Sequence, residues 1–209
     1  MYVVDRDFGF APNPFHGYCT LATCKARIRA RARCGDWVIG MGGARLKAVG
    51  RCIFAMQVTE SLSFDEYWSS PQHFDKRPVR NGSRRMMVGD NIYHRDVRLT
   101  WIQADSHHSN PDGSPNRCNV VKDTKADRVI ISRHFLYFGN NAPTVPATVL
   151  QSIGFRNPRN YRVFEALLAA PFLKWMEDSF ASSLNLVLAD PFDFGNSSKR
   201  YSVEDNKIR

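Results

Sequence analysis

Between Thr20 and Val58 a stretch dense in cations gives way at Gly35-Asp36 to two apolar runs, and this change of pattern restricts the possible folds more than any other segment. Thr20, Leu21, Cys24, Ile28 and Ala32 supply a cap and an apolar stripe at helical spacing, with Lys25, Arg27, Arg29, Arg31 and Arg33 around them. The pattern predicts a basic amphipathic helix that stops at Cys34. Gly35 is free to take the left-handed conformation there, and Arg31 and Arg33 sit at the negative end of the helix dipole. Trp37-Val38-Ile39 and the run from Cys52 to Val58 predict strands, separated by a turn at Met41-Gly42-Gly43-Ala44. A cationic helix beside a small β-structure is suited to holding a phosphate-bearing ligand.

The window from Lys25 to Arg51 holds eight Lys or Arg and one acid, Asp36, and so carries most of the formal charge of +9. Such an excess favours polyanionic partners, because Lys and Arg on phosphates release counterions and give affinity without sequence preference. The plain alternative is a solvated face. At 209 residues and 43% hydrophobic content the chain has enough apolar material for one core, so one domain is expected. No apolar run approaches the ~18 residues of a membrane helix, and Met1 to Asp7 reads as a charged strand rather than a secretory signal. A cytoplasmic protein without a membrane partner is the expectation. Five cysteines, Cys19, Cys24, Cys34, Cys52 and Cys118, form an odd set that suits reduced thiols. Cys19 and Cys24 lack the second close pair of a zinc ribbon, so no metal is expected, and Cys34 and Cys52 read as small core residues.

A first strand is expected near Tyr2 to Arg6. The segment Phe8 to Gly17, rich in Phe, Pro and Gly, reads as an ordered loop, either a plug over the core or a rim touching ligand. Ser63 and Glu66 predict a short capped helix to Trp68. Strands are expected at Asp90 to His94, Leu99 to Gln103, Asp127 to Ser132 and Phe135 to Gly139, with a long loop from Asp105 to Asn119. A short helix is expected around Pro146 to Ile153 and a helical segment from Asn160 to Ser183. In the latter, Pro171 restarts the helix and Val163, Phe164, Leu167, Leu168, Phe172, Trp175 and Met176 form the face to bury. Residues 196–209 read as a frayed polar tail.

The densest group of reactive side chains is Asp105-Ser106-His107-His108-Ser109. Neutral imidazole can move protons or bind metal near neutral pH, and a neighbouring carboxylate can orient it. If the segment is extended, Asp105 and His107 share one face and His108 takes the other; a solvated pair of histidines that binds nothing is the alternative. Nucleophile-elbow, Walker, zincin and Rossmann patterns are missing. Gly40-Met41-Gly42-Gly43 lacks the downstream helix of a phosphate cradle. Trp37, Trp68, Trp101, Tyr93 and Phe138 are candidates to stack on a base, unless they belong to the core.

Phe8 to Phe15, Cys19-Thr20-Leu21-Ala22, Gly35 to Gly40, Asp105 to Ser109 and Phe135 to Gly139 together resemble the second of the nucleotide modification associated domain families. The resemblance covers the chain to about Trp175 and implies a setting of DNA base modification in bacteria or phage, without naming a reaction. More distantly, the basic helix, the Gly35-Asp36 turn, the next strand and Val49-Gly50-Arg51-Cys52-Ile53 are similar to the EVE, ASCH and PUA group of small barrels, which bind RNA or modified bases.

Together these readings predict an α+β domain over residues 1–195. Its expected form is a mixed, partly closed PUA-like β-barrel with peripheral helices and a helical C-terminus. The expected function is binding of nucleic acid or a modified nucleotide. Lys25, Arg29 and Arg33 would contact phosphate, Trp37 or Trp101 would stack on a base, and Asp105, His107 and His108 would stand at the rim. The alternative is an enzyme acting on a nucleotide or modified base, with Asp105, His107 and His108 as acid, base or metal ligands. A third possibility is a structural subunit whose basic helix docks on an acidic protein. The cofactor and the base are left open.

Overall fold

The computed structural model describes residues 1–157 and 160–209. In chain order the elements are β1 (Tyr2–Val4), β2 (Cys19–Leu21), α1 (Ala26–Arg31), β3 (Trp37–Gly42), β4 (Cys52–Gln57), β5 (Glu60–Leu62), α2 (Phe64–Ser69) and α3 (Arg84–Met87). There follow β6 (Tyr93–Arg95), β7 (Trp101–Gln103), α4 (Arg117–Asp123), β8 (Val129–Ser132), β9 (His134–Tyr137), α5 (Ala147–Ser152), α6 (Ala166–Phe180), β10 (Tyr201–Ser202) and β11 (Lys207–Ile208).

Two sheets organise the molecule. One has the order β1-β3-β4-β9 and the other β2-β8-β5, with the β6-β7 and β10-β11 hairpins apart from them. The run expected to supply consecutive strands, Val129 to Tyr137, turns a corner at Arg133. There the Ser132 hydroxyl donates to the His134 carbonyl at 2.8 Å and accepts from the His134 amide at 3.0 Å. That corner sends β8 into one sheet and β9 into the other, and among the described residues no sheet closes into a barrel. The fold is therefore mixed α/β with several open sheets and peripheral helices. Each sheet carries its own apolar cluster, one around Phe54, Leu136 and Phe172 and one around Phe10, Phe64 and Ile131.

The long basic helix is not formed. Thr20 and Leu21 pair with Ile131 and Ile130 as strand β2. Cys24 and Lys25, at φ +53° and +34°, break the backbone in the left-handed region, which confines α1 to six residues. Cross-strand pairing of two buried apolar segments outweighs a weak helical preference. Gly40-Met41-Gly42 lies within β3, where a Cβ on Gly40 would come 2.1 Å from the Phe54 ring; these glycines let side chains pack on the strand and form no cradle.

Several expectations hold. α2 starts with a full capping box, the Ser63 hydroxyl accepting from the Glu66 amide and Glu66 accepting from the Ser63 amide at 2.7 Å. At α6 the helix runs through Pro171 instead of restarting there. The ring removes one N–H, but Leu167, which would face it, is 92% exposed, so water can satisfy the freed carbonyl. Only Phe172 and Met176 of the expected face are fully buried. Among the described residues no helix is long and apolar enough to cross a membrane.

Both ends of the chain are fastened by polar contacts. The Phe8 to Gly17 loop is held by the buried Lys76 ammonium, which donates to the Asn13 carbonyl, Asn13 Oδ1 and the Tyr18 carbonyl at 2.8–2.9 Å. The expected frayed tail is instead the β10-β11 hairpin. The Tyr201 amide donates to the His107 carbonyl at 2.7 Å, the Asn119 amide side chain donates to the Tyr201 carbonyl, and Arg200 pairs with Asp105. Polar residues there serve tertiary hydrogen bonds, so polarity did not mean disorder.

Asp7 ties the two ends together, accepting from Tyr137 Oη at 2.6 Å and from the Phe192 amide at 3.2 Å. Burial pushes its carboxyl up to about 6, although the Tyr137 hydroxyl and backbone donors pull the other way. A carboxyl raised in the folded state contributes stability below its unfolded value, and that contribution is lost as pH rises through about 6. Urea titrations at several pH values are expected to show this decline in the wild type and a flatter profile in Asp7→Asn; equal slopes would contradict it.

Candidate active site

Three side chains from separate parts of the chain meet at one end of the two sheets. Cys24 stands at the bend between β2 and α1, His108 lies in the loop after β7, and Asp123 is the last residue of α4. The left-handed backbone of Cys24 costs on the order of 1–3 kcal/mol and persists because its surroundings over-determine it. The Cys24 amide donates to Asp123 Oδ1 at 2.7 Å, and its carbonyl accepts from Arg29 Nε at 3.1 Å. Asn116 caps α4 by accepting from the Asn119 amide at 3.0 Å, and that helix carries Asp123 to the bend. The His108 carbonyl is held by Asn119 Nδ2 at 2.7 Å and Gln103 Nε2 at 3.1 Å, which sets the ring.

The resulting line is Cys24 Sγ, 3.6 Å from His108 Nε2, and His108 Nδ1, 2.7 Å from Asp123 Oδ2. Tyr93 Oη also donates to Asp123 Oδ2, at 2.9 Å. Burial opposes charge on His108, but the Asp123 carboxylate and the Cys24 sulfur outweigh it and raise the imidazole to about 10. Burial likewise pushes the Asp123 carboxyl up, and His108, Arg29 and Tyr93 together carry it below its ordinary value. The pair is thus an imidazolium and a carboxylate at neutral pH, with the proton-bearing Nε2 facing sulfur. His107 differs: burial and the charge of His108 push it down to about 3, and its Nδ1 bonds the Lys199 carbonyl at 2.7 Å. It is neutral, with the proton on Nδ1, since a carbonyl can only accept.

Around this line opens a cleft of about 700 Å³. Arg6, Lys25, Arg27, Lys122 and Lys125 give its wall a positive character, with Asp5 as counter-charge. The rings of Phe10 and Tyr201 lie 4.7 and 5.7 Å from that of His108. A cysteine, a histidine and an aspartate also form a possible metal set, but the donor geometry favours proton transfer. Asp123 is bonded to Nδ1, so an ion between Sγ and Nε2 would gain only two of these ligands, short of the three or four that zinc takes from protein.

The structure brings His107, His108 and Lys25 of the expected residues to the cleft. Lys25 is exposed, with Nζ 4.5 Å over the Tyr2 ring. Asp105 points away, into the ion pair with Arg200, and Asp123 takes the place beside the imidazole. Arg29 is 0% exposed, its guanidinium bonded to the carbonyls of Cys24, Asp123, Ala126 and Arg128, so it braces the site instead of reaching phosphate. Arg33 is exposed outside the cleft lining; Trp37 packs edge-on against His134, and Trp101 lies between Phe64 and the Arg95 guanidinium. Neither tryptophan lines the cleft. Cys24 and Asp123 were not expected there. The local signal for Cys24 was its place immediately before the cationic run, whereas Asp123 had none.

Fold and site together define a mixed α/β protein with a thiol, an imidazole and a carboxylate aligned in a basic cleft. The chain matches the family described as "Nucleotide modification associated domain 2" over residues 1–198, as its loop and strand motifs had implied, and it belongs to that family. No curated protein and no solved structure matches it.

Replacing Arg29 leaves buried carbonyls without donors. Arg29→Met is expected to cost ~3–5 kcal/mol in chemical denaturation, as for removing one partner of a buried charged network. A loss below ~1 kcal/mol would show that the brace is dispensable.

Proposed function

We propose that the protein is an enzyme of nucleotide modification in which Cys24 is the nucleophile, His108 takes and returns its proton, and Asp123 orients the imidazole. The observation that carries this reading is the alignment of Sγ, Nε2, Nδ1 and Oδ2 at 3.6 and 2.7 Å. Thiols become nucleophiles when a neighbouring base removes the proton and a third group fixes that base. Cys24 is partly exposed, as an attacking atom must be, while His108 and Asp123 are buried. A desolvated imidazolium and carboxylate directed at sulfur serve no purpose in a module that only binds, and this favours the enzyme over the binding domain.

The membership of the chain in a nucleotide-modification family points to the substrate, and the charge of the cleft agrees with it. Lys25, Lys122 and Lys125 would meet the phosphate of a nucleotide, free or within a strand, and Phe10 and Tyr201 would flank the reacting base. Basic side chains on phosphate supply affinity that falls with salt, whereas the rings supply contact tolerant of base identity.

Iodoacetamide labelling tests the nucleophile, because exposed Cys34 and Cys118 act as references within the same chain. Near neutral pH Cys24 is expected to react about tenfold faster than either, and His108→Ala to remove the advantage. A nucleoside monophosphate should protect Cys24 alone. Equal rates for the three thiols in the wild type would refute the assignment. Lys122→Ala combined with Lys125→Ala is expected to weaken nucleotide protection about tenfold and flatten its salt dependence; unchanged protection would place the phosphate elsewhere.

A further inference from the structure

We infer that the Cys24 site performs acyl transfer, and that its substrate is a nucleotide whose base carries an amide-linked acyl group. The inference rests on the nucleophile reading above and adds to it the reaction and the bond broken.

Four reactions are open to a cysteine facing a nucleotide, and the neighbours of Cys24 discriminate among them. Addition to a pyrimidine ring carbon needs an acid for the ring oxygen or exocyclic nitrogen. Among the described residues the carboxylates lining the cleft are Asp123 and Asp5. Both oxygens of Asp123 are spent, Oδ1 on the Cys24 amide and Oδ2 on His108 and Tyr93. Alkyl transfer to sulfur ends in a thioether and gives no task to a proton carrier beside the thiol. Phosphoryl transfer calls for donors converging on one phosphate at the sulfur, but Arg29, the guanidinium nearest in sequence, is committed to four carbonyls. Acyl transfer alone uses what is present, an imidazole that alternates as base and acid within reach of sulfur and a carboxylate fixing its tautomer.

The steps balance with water as the only co-reactant. Cys24 Sγ, having passed its proton to His108 Nε2, attacks the amide carbonyl carbon and forms a C–S bond. The C–N bond breaks as His108 returns the proton to the leaving nitrogen, which departs as the amine of the base. Water then gives a proton to His108 and attacks the thioester; the C–S bond breaks, the acid is released, and the proton returns to sulfur. Phe10 and Tyr201, packed beside the His108 ring, limit the access of bulk water to the imidazolium. Neutral His107, with its proton held on Nδ1 by the Lys199 carbonyl, offers Nε2 as an acceptor for an N–H of the substrate.

The test uses the full-length protein, N-acetylated cytidine monophosphate and para-nitrophenyl acetate, with intact-mass and peptide analysis after acid quench. Release of cytidine monophosphate with a transient acetyl group on Cys24 is expected. Cys24→Ser and Cys24→Ala should lose the adduct, and His108→Gln should slow acetylation by about 100-fold or more. Circular dichroism and nucleotide protection of Cys34-labelled protein report whether each variant is folded. Failure of both reagents to acetylate Cys24 in the wild type, while iodoacetamide still prefers it over Cys34, would overturn acyl transfer and leave the cysteine-based reading standing. Acetylation by the ester alone would overturn the base-linked amide as substrate. Loss of the iodoacetamide preference as well would remove the underlying reading.

Discussion

A single buried guanidinium holds the architecture of the site. Arg29 donates to the carbonyls of Cys24, Asp123, Ala126 and Arg128, and the Phe64 ring lies 5.3 Å away. Desolvation is costly for such a cation and lowers its pKa, and the nearby Asp123 carboxylate counters that effect. Its planar fork can satisfy several carbonyls at fixed angles, which a lysine cannot do. The bend before α1 and the end of α4 are 99 residues apart in sequence, yet they become one rigid unit. The left-handed backbone at Cys24 and the position of the Asp123 carboxylate both follow from that unit.

The rest of the fold supplies walls. The corner at Arg133 divides the strands into two sheets, whose separate apolar clusters leave an open end where loops gather. The N-terminal aromatic loop contributes Phe8 and Phe10, pinned by Lys76. The β10-β11 hairpin contributes Tyr201 and Val203, tied to the His107 carbonyl and to Asn119. The two readings of the aromatic loop are thus reconciled, since the same phenylalanines that fill the second apolar cluster also line the cleft.

Local patterns were legible where local forces dominate. The apolar runs became β3 and β4, the Ser63 and Glu66 pair capped α2, and the dipeptide His107-His108 marked the region of the site. Patterns misled where distant partners decide. Thr20 and Leu21 carry helical spacing, but their strand partners lie near Ile131, and the cationic run therefore splits into one bracing arginine and several solvent-facing ones. Asp105 adjoins the histidines in sequence, but an extended or turning chain aims neighbours apart; the carboxylate that meets His108 comes from a helix end with no distinguishing motif. The closed barrel failed for the same reason, because closure depends on how β8 and β9 partition between sheets, and a two-residue corner with an ordinary serine controls that.

The account depends on Cys24 and His108 sharing a proton under the control of Asp123. Thiolate absorbance in the ultraviolet, taken as wild type minus Cys24→Ser across pH, measures this directly. The signal is predicted to be present well below the ordinary thiol range, which centres near ~8.5, and to vanish from neutral pH in His108→Ala. A titration that begins only in the ordinary range, unaltered by loss of His108, would contradict the account.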